Sequence, residues 1–277
     1  MTRFVVALRA EARPLIDRYQ LKACLPGDDG AFRCFYGRHG RRGSGHSLVI
    51  SGVGKVAAAA ATACLHEKPL DVWLNVGIAG HRDRAPGELV RAHRVTDAGT
   101  EERFYPTLLG LPHIDTEGVT TVDVPETVFN SRDLFDMEAS GFYQTALRWS
   151  TSELVQCVKI VSDNLDTGTG GVTVERVSEL VERNLDVIDE IVTHLETLAP
   201  ELEPVRRLED ASDIEPFFET WHFTTSERRR LSRLLVRHRA LQTPPMASDF
   251  RQLKTAAAVL QELDQRLRSL VLEQRAF

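Results

Sequence analysis

Apolar positions along the first two hundred or so residues follow two rhythms. Residues 4–8, 72–76 and 154–161 are short, nearly unbroken apolar runs, the pattern of strands buried on both faces. Residues 31–37, 47–51, 88–96 and 118–122 read as further strands. Between the strands lie segments with helical spacing: one beginning at Arg9, an alanine-rich one ending near His66, and a long amphipathic one over 172–198. Strands and helices alternate from Phe4 to about Leu198, which predicts an α/β domain over residues 1–198. The texture then changes. Pro200, Pro204 and the acidic Glu209-Asp210 read as a connection, followed by helical stretches at 214–221, 226–241 and 248–274, with Pro244-Pro245 as a break. Residues 199–277 are thus expected to form an all-helical C-terminal extension that packs on the first domain or on a partner subunit.

Three carboxylates fall at junctions of one kind. Glu11 stands where the first strand hands over to a helix, with Pro14 expected in that helix's first turn. Glu138, in Asp136-Met137-Glu138, precedes an apolar helix with Phe142, Ala146 and Trp149 at core spacing. A carboxylate there meets unpaired N–H groups and the positive end of the dipole, which favours its ionised form. Asp163 ends the apolar run 154–161, with Ser162 before it and Gly168, Gly170 and Gly171 after it. Each alone fits an ordinary helix-start carboxylate. Together they suggest one cleft, because open α/β sheets bind ligands where strands end.

Two glycine turns, 52–54 and 77–80, follow strands and suit either a close backbone approach to a ligand or tight packing. The first has neither Walker A nor dinucleotide-binding spacing. His81, just after the second, reads as a loop histidine on the surface or as a base. Residues 97–115 form a long polar loop with Phe104-Tyr105-Pro106, a candidate lid or interface element. Arg33, Arg38, Arg41 and Arg42 suit a solvated hairpin tip or a phosphate contact.

Composition narrows the classes. A formal net charge of -6 argues against general nucleic-acid binding. Arg228, Arg229, Arg230, Arg233, Arg237 and Arg239 make one helix basic, and such a helix is either a solvated face or a contact for nucleic acid or an acidic partner. No apolar run is long enough to span a bilayer. Arg3 comes too early for a signal peptide. Cys24, Cys34, Cys64 and Cys157 form no C-x-x-C pair and have no histidine at zinc spacing, so free thiols in the cytoplasm, with no metal or cofactor, are expected.

Five segments, in order and at similar spacing, resemble the purine nucleoside phosphorylase and nucleosidase superfamily, most of all methylthioadenosine/S-adenosylhomocysteine nucleosidase. Residues 7–11 resemble its A-M-E-E-E, 51–56 its S-G-I-G-K-V, and 75–80 its N-T-G-S-A-G. Residues 136–139 resemble its E-M-E-A, and 161–163 the start of its I-S-D-x-A-D. The resemblance covers roughly residues 3–198. It implies a three-layer fold, a central mixed β-sheet flanked by helices, and cleavage of a nucleoside's N-glycosidic bond.

On that resemblance Asp163 is the general acid toward the purine, supported by Ser162. Glu138 clamps the ribose hydroxyls, Met137 packs under the sugar, Glu11 orients or deprotonates water, and Gly77 and Ile78 line the nucleophile's place. The partner is a small nucleoside, with phosphate as an alternative co-substrate, and the assembly is a homodimer or larger, with Phe104 and Tyr105 suggested for a loop that closes a neighbour's site. Ile78 stands where the family has a serine, and Asn75 where the phosphorylase branch has a phosphate-binding arginine, which favours hydrolysis over phosphorolysis. Arg176, thirteen residues beyond Asp163, points the other way, because bacterial-type phosphorylases carry an assisting arginine there. The expected activity is therefore a nucleosidase giving free base and sugar. The alternatives are a glycosyl-transferring phosphorylase giving sugar 1-phosphate and a non-catalytic nucleoside-binding regulator.

Overall fold

The computed structural model describes residues 1–24, 31–37, 45–66, 71–168, 172–207, 214–240 and 245–274. Arg38, Arg41, Arg42, Gly170, Gly171, Glu209, Asp210 and Pro244 lie outside them. The chain divides into two compact units, Met1–Ala199 and Pro200–Phe277.

The first unit is built on β1 (Thr2–Val6), whose five residues are all buried. It pairs in parallel with β4 (Ser47–Ile50) on one side and β5 (Val72–Gly80) on the other. Beyond β4 the sheet ends in antiparallel β3 (Arg33–Tyr36) and β2 (Lys22–Ala23). On the other flank β5 pairs in parallel with β10 (Val155–Asp163). β10 runs antiparallel to β6 (Leu89–Asp97), β6 parallel to β8 (Thr116–Thr121), and β8 parallel to β9 (Leu134–Asp136). β9 returns to β5 through Gly80 and Phe135. The mixed sheet therefore closes on itself as a ring of β5, β10, β6, β8 and β9, and the ends of β5, β9 and β10 come together. The helices of this unit are α1 (Arg9–Arg18), α2 (Lys55–Leu65), α3 (Ala139–Ala146), α4 (Val174–Arg183) and the first part of α5 (Leu185–Arg207). Trp73, Val95, Val119, Phe142, Tyr143 and Val161 lie in one buried core cluster.

Four expectations need correction. The glycine segment 77–80 is no turn: its residues lie within β5, because parallel pairing with β10 continues along it. Pro14 lies in the interior of α1, which begins at Arg9. The segment 172–198 is not one helix. It breaks at Asn184, whose side chain donates to the carbonyls of Gly87 (3.1 Å) and Leu180 (2.9 Å). The loop 97–115 contains β7 (Arg103–Phe104), paired with β6, and Phe104 packs against the Tyr143 ring at 5.8 Å within the same unit. Tyr105 remains exposed.

The second unit holds α6 (Glu215–Thr220), α7 (Thr225–Ala240), a short 3-10 turn (Ala247–Phe250) and α8 (Ala256–Gln274). Its own core includes Phe217, Phe223, Leu231, Phe250, Val259 and Leu263. Trp221 Nε1 donates to the Leu253 carbonyl at 2.8 Å, and the Arg228 guanidinium sits 4.6 Å over the Phe218 ring. Among the described residues no helix is long and apolar enough to cross a membrane.

Candidate active site

Glu11 sits in the first turn of α1 and reaches back to the strand that precedes it. Its Oε2 accepts the Ala7 and Leu8 N–H groups at 2.9 and 2.8 Å, donors that a helix start leaves unpaired. Its Oε1 accepts the Ile78 N–H at 3.0 Å. A Cβ at position 77 would lie 3.0 Å from that oxygen, so Gly77 leaves the space through which the carboxylate meets β5. Burial raises the Glu11 pKa, against the opposing pull of the three amides and of Lys159.

Glu138 is the N-cap residue of α3, yet its side chain does not cap its own helix. Its Oε1 accepts the Gly54 N–H at 2.8 Å, from the start of α2. Gly54 has φ 106°, a conformation that favours glycine. Burial pushes the Glu138 pKa up to about 7; Lys159 opposes the rise and Asp136 adds to it. The dipole argument from sequence, which favoured ionisation, is thus outweighed by desolvation. The helix-start role belongs to Asp136, which accepts the N–H groups of Ala139 (2.7 Å) and Glu138 (3.2 Å).

Lys159 is the residue that reading the sequence missed. It lies on β10, 1% exposed, with Nζ 2.7 Å from Asp136 Oδ2. Burial works against its charge, but Asp136 and Glu138 outweigh it and hold the ammonium above the ordinary lysine range. The signal was a lysine inside an apolar strand run, at a position whose neighbours all face the core.

Asp163 ends β10 and is buried, with Ser162 Oγ donating to its Oδ1. Its backbone carbonyl accepts the His81 N–H at 3.0 Å. A cavity of about 170 Å³ opens at these strand ends, and Glu11, Ile78, Met137, Glu138, Ser162 and Asp163 all line it. Ala7, Leu8, Val53, Ala79, Val122 and Phe135 supply apolar wall, and Gly80, Pro125, Glu126 and Asp136 also line it. Among the described residues no Lys, Arg or His lines it. Arg176 is not brought in; its guanidinium lies 3.5 Å from Glu179, one turn further along α4. Asn75, buried in mid-strand, donates to the Val5 carbonyl at 3.0 Å and ties β5 to β1. Among the described residues no group of three His, Cys, Asp or Glu side chains is arranged to hold a metal ion.

No protein-family model matches the chain, and no curated protein sequence matches it. Solved structures do. One is an MTA/SAH nucleosidase at TM-score 0.53 and 18% identity, covering 69% of this chain and 95% of that one. A Helicobacter pylori 5′-methylthioadenosine/S-adenosylhomocysteine nucleosidase, solved with butyl-thio-DADMe-Immucillin-A, is similar at 0.52 and 12%, covering 70% and 97%. The Arabidopsis thaliana 5′-methylthioadenosine nucleosidase, in apo form, is similar at 0.50 and 18%, covering 73% and 94%. The chain therefore has the α/β fold of these proteins.

Proposed function

We propose that the protein is a nucleosidase, which hydrolyses the N-glycosidic bond of a purine-type nucleoside such as methylthioadenosine to free base and sugar. The observation that supports this most directly is the convergence of Glu11, Glu138 and Asp163 on one cavity. Leaving of the base builds positive charge on the ribose and negative charge on the purine. Asp163, oriented by Ser162, delivers a proton to a purine ring nitrogen. Glu138 has one oxygen held by Gly54 and turns the other to the ribose hydroxyls. Met137 lies beneath the sugar. Glu11 takes the proton of the attacking water, a task suited to a carboxylate whose pKa burial has raised. Carboxylates in a cavity that no cation lines among the described residues favour a transition state with a cationic sugar.

The same charge balance argues for water over phosphate. A phosphate needs cationic or N–H donors in the cavity. The nearby ammonium of Lys159 is buried and bonded to Asp136, and the Ile78 amide is bonded to Glu11. Incubation with adenosine, inosine, methylthioadenosine and S-adenosylhomocysteine, with and without phosphate, tests the reading. The expected products are free base and free sugar without phosphate. Strict phosphate dependence would convert the assignment to a phosphorylase, and tight nucleoside binding without base release would sink both.

A further inference from the structure

His81 is 3% exposed and does not line the cavity, so it is neither the surface residue nor the base that its sequence position allowed. Its ring makes three hydrogen bonds. Nδ1 accepts the N–H groups of Asp83 at 2.9 Å and Arg84 at 2.8 Å. With Nδ1 accepting twice, the ring proton is on Nε2, which donates to the Arg132 carbonyl at 2.7 Å.

Each bond leads to a wall of the site. The turn that Nδ1 closes is bonded to the loop after Asp163: Asn164 Nδ2 donates to the Arg84 carbonyl at 2.9 Å, and the Leu165 N–H to the Arg82 carbonyl at 3.3 Å. Asn164 Oδ1 in turn accepts the Asp166 and Thr167 N–H groups, which fixes that loop internally. On the other side, Arg132 ends the segment that contributes Pro125 and Glu126 to the cavity. Within that segment Phe129, at φ 49°, packs on Gly80, where a Cβ would come within 2.7 Å of its ring and 3.3 Å of Asp163 Oδ2. The ring of one histidine thus joins the Asp163 loop to the segment that flanks Asp163.

We infer that His81 is a positioning residue, with Nδ1 holding the Asp163 loop and Nε2–H holding the 125–132 segment over the base end of the cavity. The kinetic part of this inference rests on the nucleosidase reading; the positional part does not. A simple buried histidine would show one undivided effect on stability, whereas the two ring nitrogens here serve different walls and can be separated. An asparagine at position 81 places an acceptor near Nδ1 and loses the donor to Arg132. A glutamine places a donor near Nε2 and loses the acceptor for the turn.

The test combines amide hydrogen exchange, imidazole ¹⁵N spectra and kinetics on the full chain. His81→Asn is expected to speed exchange in 125–132 alone and to raise KM about tenfold with kcat within about twofold. His81→Gln is expected to speed exchange in 82–84 and 164–168 and to lower kcat at least tenfold with little change in KM. The wild-type spectrum should show a neutral ring protonated at Nε2. A ring protonated at Nδ1, or exchange rising equally everywhere in both variants, overturns the inference. Should no nucleoside be cleaved by the wild type, the nucleosidase reading fails, while the exchange pattern and the ring tautomer still decide the role of His81.

Discussion

The Gly54 N–H donates to Glu138 Oε1 at 2.8 Å, across 84 positions of sequence. That bond joins the start of α2 to the start of α3 and fixes one oxygen of a carboxylate that lines the cavity. It depends on how closely the two helices approach. A Cβ on Gly141, in the first turn of α3, would overlap the Lys55 carbonyl oxygen, so backbone meets backbone at that crossing. The second of the two acids in Asp136-Met137-Glu138 serves the cavity because a helix 84 residues earlier is packed against it without an intervening side chain.

Gly141→Ala should therefore act on both stability and the site. The added methyl must push α3 from α2, a kind of overpacking that typically costs about 1–3 kcal/mol. The same shift draws Gly54 away from Glu138. The expected outcome is a lower urea midpoint together with a rise in KM for the nucleoside, read from denaturation curves and steady-state kinetics. A variant that keeps wild-type stability would mean that the helix crossing is looser than described.

Asp163→Asn should keep the fold, because the side-chain amide is isosteric and still offers Ser162 Oγ an acceptor. It removes the proton donor of the proposed reaction, and loss of general acid catalysis costs about 10²–10⁴-fold in kcat. Circular dichroism and base release measured side by side check both halves. Near wild-type turnover would remove Asp163 from the role of acid.

The fold was legible because its signals are local. Unbroken apolar runs marked β1, β5 and β10, and turn residues marked the hairpin of β3 and β4. The positions of Glu11, Glu138 and Asp163 at element junctions were legible for the same reason, although β9, the strand that leads to Glu138, was not. What the sequence hid depends on long-range pairing. Nothing local shows that β9 returns to β5 at Gly80, so the closed ring of strands was invisible. Lys159 was passed over because a lysine in a strand ordinarily snorkels to solvent. Only the placement of Asp136 beneath it, 23 positions earlier in the chain, explains its burial. His81 was hidden likewise, because its partners at Asp83, Arg84 and Arg132 meet only in the folded chain.

Lys159→Met should destabilise the protein by roughly 3–5 kcal/mol, the usual result of removing one partner from a buried ion pair. Asp136 is left without its countercharge, while Glu138 and Glu11 lose a neighbouring positive charge that favours their ionised forms. The double variant Lys159→Met with Asp136→Asn should recover much of that loss, since no uncompensated charge then remains at the pair. A double-mutant cycle by chemical denaturation gives the coupling. Additive effects would show that the two side chains act separately.

The raised pKa of Glu138 links stability and activity with opposite signs. Unfolded, the carboxyl titrates at an ordinary 4.5; folded, burial lifts it to about 7. Below pH 4.5 it is protonated in both states and costs nothing. Between 4.5 and 7 the unfolded chain releases the proton and the folded one keeps it, so the unfolded state binds fewer protons and stability falls as pH rises. The full loss is on the order of 3 kcal/mol and is complete above the folded value. Glu138→Gln removes this contribution, because the amide oxygen can still accept the Gly54 N–H while no proton is exchanged. The stability of the variant relative to wild type should therefore grow across that interval and level off above it, which denaturation at several pH values measures. Glu11, raised by the same cause, gives a slope of the same sign, and because its charge adds to the rise of Glu138 the comparison reads Glu138 together with that interaction. Activity runs the other way. In the proposed reaction the ionised carboxylate accepts the ribose hydroxyls, so wild-type kcat/KM should rise through about pH 7. The variant should be slower by about 10²-fold, the loss of two charge-assisted hydrogen bonds, and should lose the part of the rise that Glu138 contributes, keeping only what ionisation of Glu11 gives. A wild-type profile that is flat from pH 5 to 8, roughly one unit or more either side of the folded value, would show that Glu138 is already ionised in the folded protein.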